Sequence, residues 1–353
     1  MVLVEVPAAK VGASGGRSAG SGLNLGAQPQ APLRATAGRA MYEGRGEWLH
    51  LTIDPRVENG GLQMTSEKVD VSRESGDAFA HGNVKATWTD TGGGGAGGPA
   101  GSRGDMTLGG KGPAHVVAAE AQLNQSTGEA TFRGHARLWQ QANSVSGPVI
   151  VLNQHLQTLT AHSSNAAEPV TAVMQSAGAP GGGGGRNGQQ TADQSAGAKA
   201  GAAPVIRVHG GELWYSDAER KAVMRGGDLG AVTAETGTAT STSDTVELRL
   251  MPAGSHDSGS SGQAQVDRMM AAGHVVLTVQ GRRGTGERLE YSGASGEYVL
   301  TGTAAAPPKM SDPVRGTVTG ETLIFNSRND SVSIEGGGRQ TKTETTAPDV
   351  RGK

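Results

Sequence analysis

The segment Glu67-Lys68-Val69-Asp70-Val71-Ser72-Arg73-Glu74-Ser75-Gly76-Asp77-Ala78-Phe79-Ala80-His81-Gly82 alternates apolar and polar residues, breaks at a polar turn, and alternates again up to a glycine. Alternation at period two is the pattern of a strand with one buried face. Ser72 opens the turn, because a short oxygen-bearing side chain can hydrogen-bond the turn backbone, and Gly76 supplies the positive φ that such turns demand. The segment reads as a β-hairpin.

The same pattern recurs from Glu120 to Gly134, Glu212 to Gly226, Glu287 to Gly302 and Glu321 to Gly336, with a degenerate copy from Pro148 to His162. Asn124, Ser216, Ser292 and Asn326 take the place of Ser72, and Gly128 and Gly296 that of Gly76. A repeat is one supersecondary unit that cannot bury its apolar face alone. Further alternating runs lie at 48–53, 84–88, 136–139, 245–250 and 274–279, giving roughly fourteen to eighteen short strands by period alone. The one weak helical candidate is the Met-rich stretch 265–272. The fold expected is all-β.

Composition agrees and excludes several classes. Of 353 residues 58 are Gly, against 4 Trp, 4 Tyr and 3 Phe, and the formal net charge is −2. A neutral balance leaves no electrostatic footprint for nucleic acid. No run approaches the ~18 apolar residues of a spanning helix. With no Cys there is neither disulfide nor thiolate chemistry. The start, Met1-Val2-Leu3-Val4-Glu5-Val6-Pro7, has no basic n-region and no apolar core. It fits either a cytosolic chain or an exported precursor that begins upstream of Met1.

Glycine-rich filler sets the expected organisation: a flexible segment 1–38; a β-module 39–162 with a disordered insertion 89–114; a linker 163–204; a second β-module 205–336; and a disordered tail 337–353. Runs such as 92–95 and 181–185 bury too little apolar surface to offset chain entropy.

Apolar residues fall on one face: Val69 and Val71, Ala121 and Leu123, Leu213 and Tyr215, Leu289 and Tyr291, Leu323 and Phe325. Such a face must be covered by a second sheet. A packed sandwich core and a groove filled by a long apolar ligand both require this alternation.

The combination of Ala/Ser-Glu-x-Val/Leu-x-Val/Tyr, a turn ending Gly-Asp/Glu, and alternation into Gly-Asn/His-Val/Ala resembles the organic-solvent-tolerance-like (OstA-like) domain. That domain occurs in LptA-type lipopolysaccharide-bridge proteins and in the N-terminal part of LptD. The best matches are 66–88, 119–139 and 286–336; with degenerate copies the resemblance covers 41–162 and 205–336. It implies an elongated, open β-jelly roll built from repeated hairpins, whose apolar interior holds the acyl chains of lipid A. It also implies stacking through edge strands, with itself or with other lipopolysaccharide-transport components, across the periplasm to the outer membrane. The role implied is non-enzymatic, without cofactor. Candidates for lining the groove are Val69, Val71, Phe79, Leu123, Phe132, Leu138, Leu213, Tyr215, Leu277, Leu289, Tyr291, Leu323 and Phe325. The chain departs from the pattern in its missing leader, its length and its Gly-rich insertions.

Site chemistry is thin. The nine His residues include no His-Glu-x-x-His or His-x-His; the pair His155 and His162 sits in the degenerate copy, and no metal site is expected. There is no Gly-x-Ser-x-Gly elbow, the glycine runs lack a phosphate-loop ending, and Gly284-x-Gly286 leads into a strand rather than a helix. Arg103-Gly104-Asp105 reads as a chance tripeptide in a Gly-rich loop. Glu67, Glu120, Glu212, Glu287 and Glu321 recur at strand starts as solvated edges rather than paired carboxylates, and Arg133, Arg137 and Arg288 as surface charge, with contact to lipid phosphates at a groove mouth as the alternative. Met269 and Met270 read as loop or core packing, with a place along a lipid path as the alternative. A self-assembling β-solenoid without ligand is the second reading; a carbohydrate-active jelly roll ranks last, for want of an acid pair or an aromatic platform.

Overall fold

The structure, a computed structural model, describes residues 2–6, 33–59, 61–89, 108, 112–176, 205–251, 264–313, 316–336 and 342–344. The described residues form 27 strands and two 3-10 turns, Gly44–Gly46 and Gly227–Leu229. The pairings given below are all antiparallel, as expected. The runs 92–95 and 181–185 and the Arg103-Gly104-Asp105 tripeptide lie outside the described residues. No helix among the described residues is long and apolar enough to cross a membrane.

The chain divides into two compact units: unit 1 comprises Met1–Leu108, Gly112–Gln141 and Ser146–Ala161, and unit 2 Gly109–Lys111, Ala142–Val145 and His162–Lys353. Within unit 1, one ladder runs through Val2–Val6, Leu33–Ala37, Arg56–Asn59 and Leu62–Thr65 to residues 85–88 of the long strand Ala78–Trp88. A second runs through Arg39–Glu43, Trp48–Thr52 and Lys68–Ser72 to residues 78–81 of that same strand. The long strands Ala78–Trp88, Ala114–Asn124 and Glu129–Gln140 belong to both ladders.

Each long strand passes from one ladder to the other at a crease. In Ala78–Trp88 the register slips between His81 and Val84, and in Glu129–Gln140 between Arg133 and Arg137. At both creases one extra residue is accommodated by a Gly-X pair with positive φ: Gly82 (73°) with Asn83 (47°), and Gly134 (76°) with His135 (51°). This is how a β-bulge bends a strand. The acidic strand start next door locks the first of them: the Glu67 N–H donates to the carbonyls of both His81 and Gly82, and its carboxylate accepts from the Asn83 amide.

Unit 2 repeats the plan. Val170–Gln175, Val205–Gly210, Val232–Glu235 and Ala239–Ser243 lead to residues 276–279 of the strand Val266–Val279. Arg282–Ser292, Lys309–Asp312, Gly316–Thr319 and Lys342–Glu344 continue that ladder. The other ladder contains Glu212–Ser216, Lys221–Arg225, Thr245–Leu250, residues 266–272, residues 288–292, Glu297–Thr301, Thr322–Asn326 and Ser331–Glu335. Its crease is Gly273 (80°) and His274 (48°), and the Asp244 N–H bridges the carbonyls of Ala272 and Gly273 as Glu67 does in unit 1.

Four expectations need correction. Strands Val2–Val6 and Leu33–Ala37 pair within the segment expected to be flexible, Val170–Gln175 within the expected linker, and Lys342–Glu344 within the expected tail. Edge positions on a ladder accept short alternating stretches even when glycine-rich filler surrounds them. The helical candidate 265–272 is strand: Arg249 opposes Arg268 while Leu250 opposes Val266, so Asp267 is a bulge residue. The bulge turns Val266 and Met269, three apart, to the same buried side and so imitates helical spacing.

Candidate functional site

Among the described residues, the buried apolar side chains of each unit line the inner faces of its two ladders. Directly opposed residues share a face, so each buried residue recruits its partner: Leu51 with Val69, Leu49 with Val71, Ala121 with Phe132. In unit 1 the faces meet where the ring of Trp88, from one ladder, packs edge-on against Phe132, from the other, at 5.7 Å and 77°. In unit 2 the Tyr298 ring lies 4.6 Å from Tyr291 and 6.1 Å from Phe325, and its hydroxyl reaches Thr236 and Thr238 in a turn of the opposite ladder at 2.7 and 3.1 Å. Burial, against the hydrogen bonds of the two threonines, drives the Tyr298 pKa upward.

Of the candidate lining residues, Val69, Val71, Leu123, Phe132, Leu138, Leu213, Tyr215, Leu277, Leu289, Tyr291, Leu323 and Phe325 are buried on inner faces. Phe79 does not join them. It opposes Asp70 on the outer side and packs 6.1 Å from the Trp48 ring, while its neighbours Ala78 and Ala80 point inward. Missing from the sequence reading were Met64, Val116, Val208, Tyr298 and Leu300, all buried. Their signal is cross-strand: Tyr298 opposes Tyr291, and Leu300 opposes Leu289. Gly284 and Gly286 lie under Leu300, where an added Cβ would come within 3.0 Å of its methyl groups, so they serve close packing.

Among the described residues one charged side chain is enclosed, and no sequence signal marks it. The Arg282 side chain, 8 % exposed, donates from Nε to Asp312 at 2.9 Å and from Nη2 to Asp330 at 3.2 Å, with Nη1 closer still to Asp330. Its guanidinium lies 5.6 Å from the Phe325 ring centre. Its hydrogen bonds to Asp330 and Asp312 outweigh burial and raise its pKa.

Outer faces carry the remaining candidates. Arg133, Arg137 and Arg288 are exposed, as are Glu67, Glu120, Glu212, Glu287 and Glu321. His162 stands 3.8 Å from Glu212, and His155 packs against Gly128. Among the described residues no group of three or more His, Asp or Glu could hold a metal. The best-connected outer cluster centres on His50, which bonds Asp70 at 2.6 Å and Glu43 at 2.8 Å; Lys68 and His81 also approach Asp70, at 2.9 and 3.6 Å.

Two edges stand out. Ser331–Glu335 has no second ladder partner among the described residues, and its inward residues Val332 and Ile334 are only half-buried although they oppose Phe325 and Leu323. Arg39–Glu43 is likewise paired on one side, and its Tyr42, opposite buried Leu49, is 56 % exposed.

No protein-family model matches the sequence, and no curated protein matches it. Among solved structures the chain is similar to LptH of Pseudomonas aeruginosa, described as the LptA homologous periplasmic component of the conserved lipopolysaccharide transport device. Identity is 16 % and the TM-score 0.30, over 38 % of this chain and 86 % of that one.

Proposed function

We propose that the chain is a non-enzymatic periplasmic carrier of the lipopolysaccharide-transport type, holding lipid A acyl chains between the two ladders of a unit and passing them towards the outer membrane. The observation that carries this reading is the apolar inner face of both ladders, built from repeats that resemble the OstA-like domain. Each methylene buried there contributes about 0.8 kcal/mol, so a lining of aliphatic and aromatic side chains suffices without directional contacts. The paired-on-one-side edges Arg39–Glu43 and Ser331–Glu335 suit strand addition between copies or to other transport components.

A second reading has its own support. Leu49, Leu51, Val69, Val71, Leu323 and Phe325 are 0 % exposed, and such closed inner positions are what a self-assembling β-structure without ligand requires. Mass spectrometry of lipid extracted from purified protein, with a photocrosslinker at Leu213 or Leu323, separates the two. Lipid A adducts at these positions are expected. If every inward position stays free of lipid while the protein forms filaments in lipid-free buffer, the structural reading replaces the carrier.

A further inference from the structure

In unit 2 the long strands bend at Gly273 and His274, so the ladders are joined along that crease. Their hairpin turns meet on the opposite flank. Residues 236–238 and 280–281 close hairpins of one ladder, and 327–330 close a hairpin of the other. Apolar contact alone would suffice to hold a permanent sandwich shut there. Instead, polar links among the described residues cross the flank, three of them at Tyr298, Gln280 and Arg282.

The first is Tyr298, whose hydroxyl spans to Thr236 and Thr238 at 2.7 and 3.1 Å. The second is Gln280, whose amide donates to the Ser327 carbonyl at 3.5 Å. The third is Arg282, fixed by Asp312 on its own ladder and by both oxygens of Asp330 on the other. Beneath them lies a row of rings, Tyr291, Tyr298 and Phe325, with Arg282 over the last. Enclosing an ion pair contributes less to a static core than apolar side chains of equal size would. Such groups, however, can exchange their partners for water, which packed methyl groups cannot do.

We propose that this row of links is a breakable seam, the side on which the two ladders of unit 2 part to admit an apolar chain into the interior. The inference rests on the carrier reading and adds a route and its latch.

The chain contains no Cys, so a Gln280→Cys, Ser327→Cys pair gives two unique thiols, one on each side of the seam, in the full-length protein. Spin labels there report the seam's width, and a fluorescent hexadecanoate and lipid A serve as probes. Asp330→Asn with Tyr298→Phe removes the charge of the latch and the bridging hydroxyl, while keeping a residue suited to the left-handed turn and a stacked ring. In that variant the label distance is expected to lengthen and broaden. Probe uptake should be about fivefold faster, the equivalent of roughly 1 kcal/mol off the opening barrier. A reducible cross-linker between the thiols should stop uptake, and reduction should restore it. An unchanged distance in the variant overturns the seam, and so does undiminished uptake by the cross-linked protein; in both cases the carrier reading survives. Absence of uptake by every form, reduced or open, overturns the carrier reading and the route with it.

Discussion

Among the described residues, six turns place the residue four positions after a Ser or Asn in the left-handed region: Gly76, Gly128 and Gly296 at φ 77°, 65° and 71°, but Gln157, Arg220 and Asp330 at 52°, 49° and 55°. A Cβ makes that region unfavourable by roughly 1–2 kcal/mol. The Arg220 Nε bonds the Met251 carbonyl at 2.7 Å and Asp330 holds Arg282, whereas the described structure gives the Gln157 side chain no such task. Gln157→Gly is therefore expected to stabilise the fold by about 0.5–1 kcal/mol, and Gly76→Ala to destabilise it by more; urea midpoints at constant slope check both. The added Cβ at Gly76 would also strike the Gln125 amide. On the outer face of unit 1, burial pushes the Asp70 carboxyl up, but hydrogen bonds from His50 and Lys68 outweigh it and hold the pKa below its ordinary value. A depressed carboxylate contributes fully above the ordinary carboxylate range, and the contribution is lost as pH falls through the lowered value. Asp70→Asn should thus cost roughly 1–2 kcal/mol at pH 7. The gap from the parent should close on acidification, and a gap that stays constant down to pH 3 would remove His50 and Lys68 as the cause.

The hairpins were legible because their signal is local: an alternating run, a Ser or Asn, a left-handed position four residues on. Asn124 and Asn326 accept from the turn N–H groups of Thr127 and Arg328, both at 3.0 Å, as their chemistry suggested. The partition of hairpins between two ladders was not legible, because it depends on pairings such as Lys221 with Arg249 that no local pattern encodes. Nor could Phe79 be assigned correctly from its bulk, since the smaller Ala78 and Ala80 take the inner positions. Arg282 was invisible for a related reason: its partners, Asp312 and Asp330, are 30 and 48 residues away. The creases lie between these cases. Their Gly-Asn and Gly-His pairs can be read in the sequence, but the bulge they form appears only with its partner strand. Gly134 tests their importance. At φ 76°, an added Cβ would stand 2.6 Å from the Ala119 Cβ, a contact no side-chain rotation relieves. Gly134→Ala is expected to cost about 2–3 kcal/mol, whereas His135→Asn, which copies the Gly82 and Asn83 crease, should cost little. Equal losses in thermal unfolding would mean the bulge is not what sets the bend.

A sheet edge that is neither paired nor blunted recruits other strands, and natural proteins guard such edges with charge, proline or short length. Ser331–Glu335 carries its only charge at the terminal Glu335, and it leaves Val332 and Ile334 half-covered over the buried Phe325 and Leu323. Arg39–Glu43 offers Ala40 and Tyr42 on its inner side, opposite Leu51 and Leu49. An added strand on either edge would extend the buried face by one row and satisfy the free backbone groups, which is the physical basis for joining copies end to end. Such an edge also gives the carrier and the self-assembling readings a shared first step, so blocking it discriminates less between them than it tests the edge itself. Ile334→Lys places a charge at the middle of that row, while the long aliphatic stem can still cover Leu323 and the ammonium can reach water. Folding should be little affected, since the site is already half-open. Sedimentation velocity over a wide concentration range should show association in the parent and monomers in the variant, at any salt concentration that leaves apolar contact intact. If both associate alike, Ser331–Glu335 is not the joining edge; a matching loss with Tyr42→Lys would show that Arg39–Glu43 receives it.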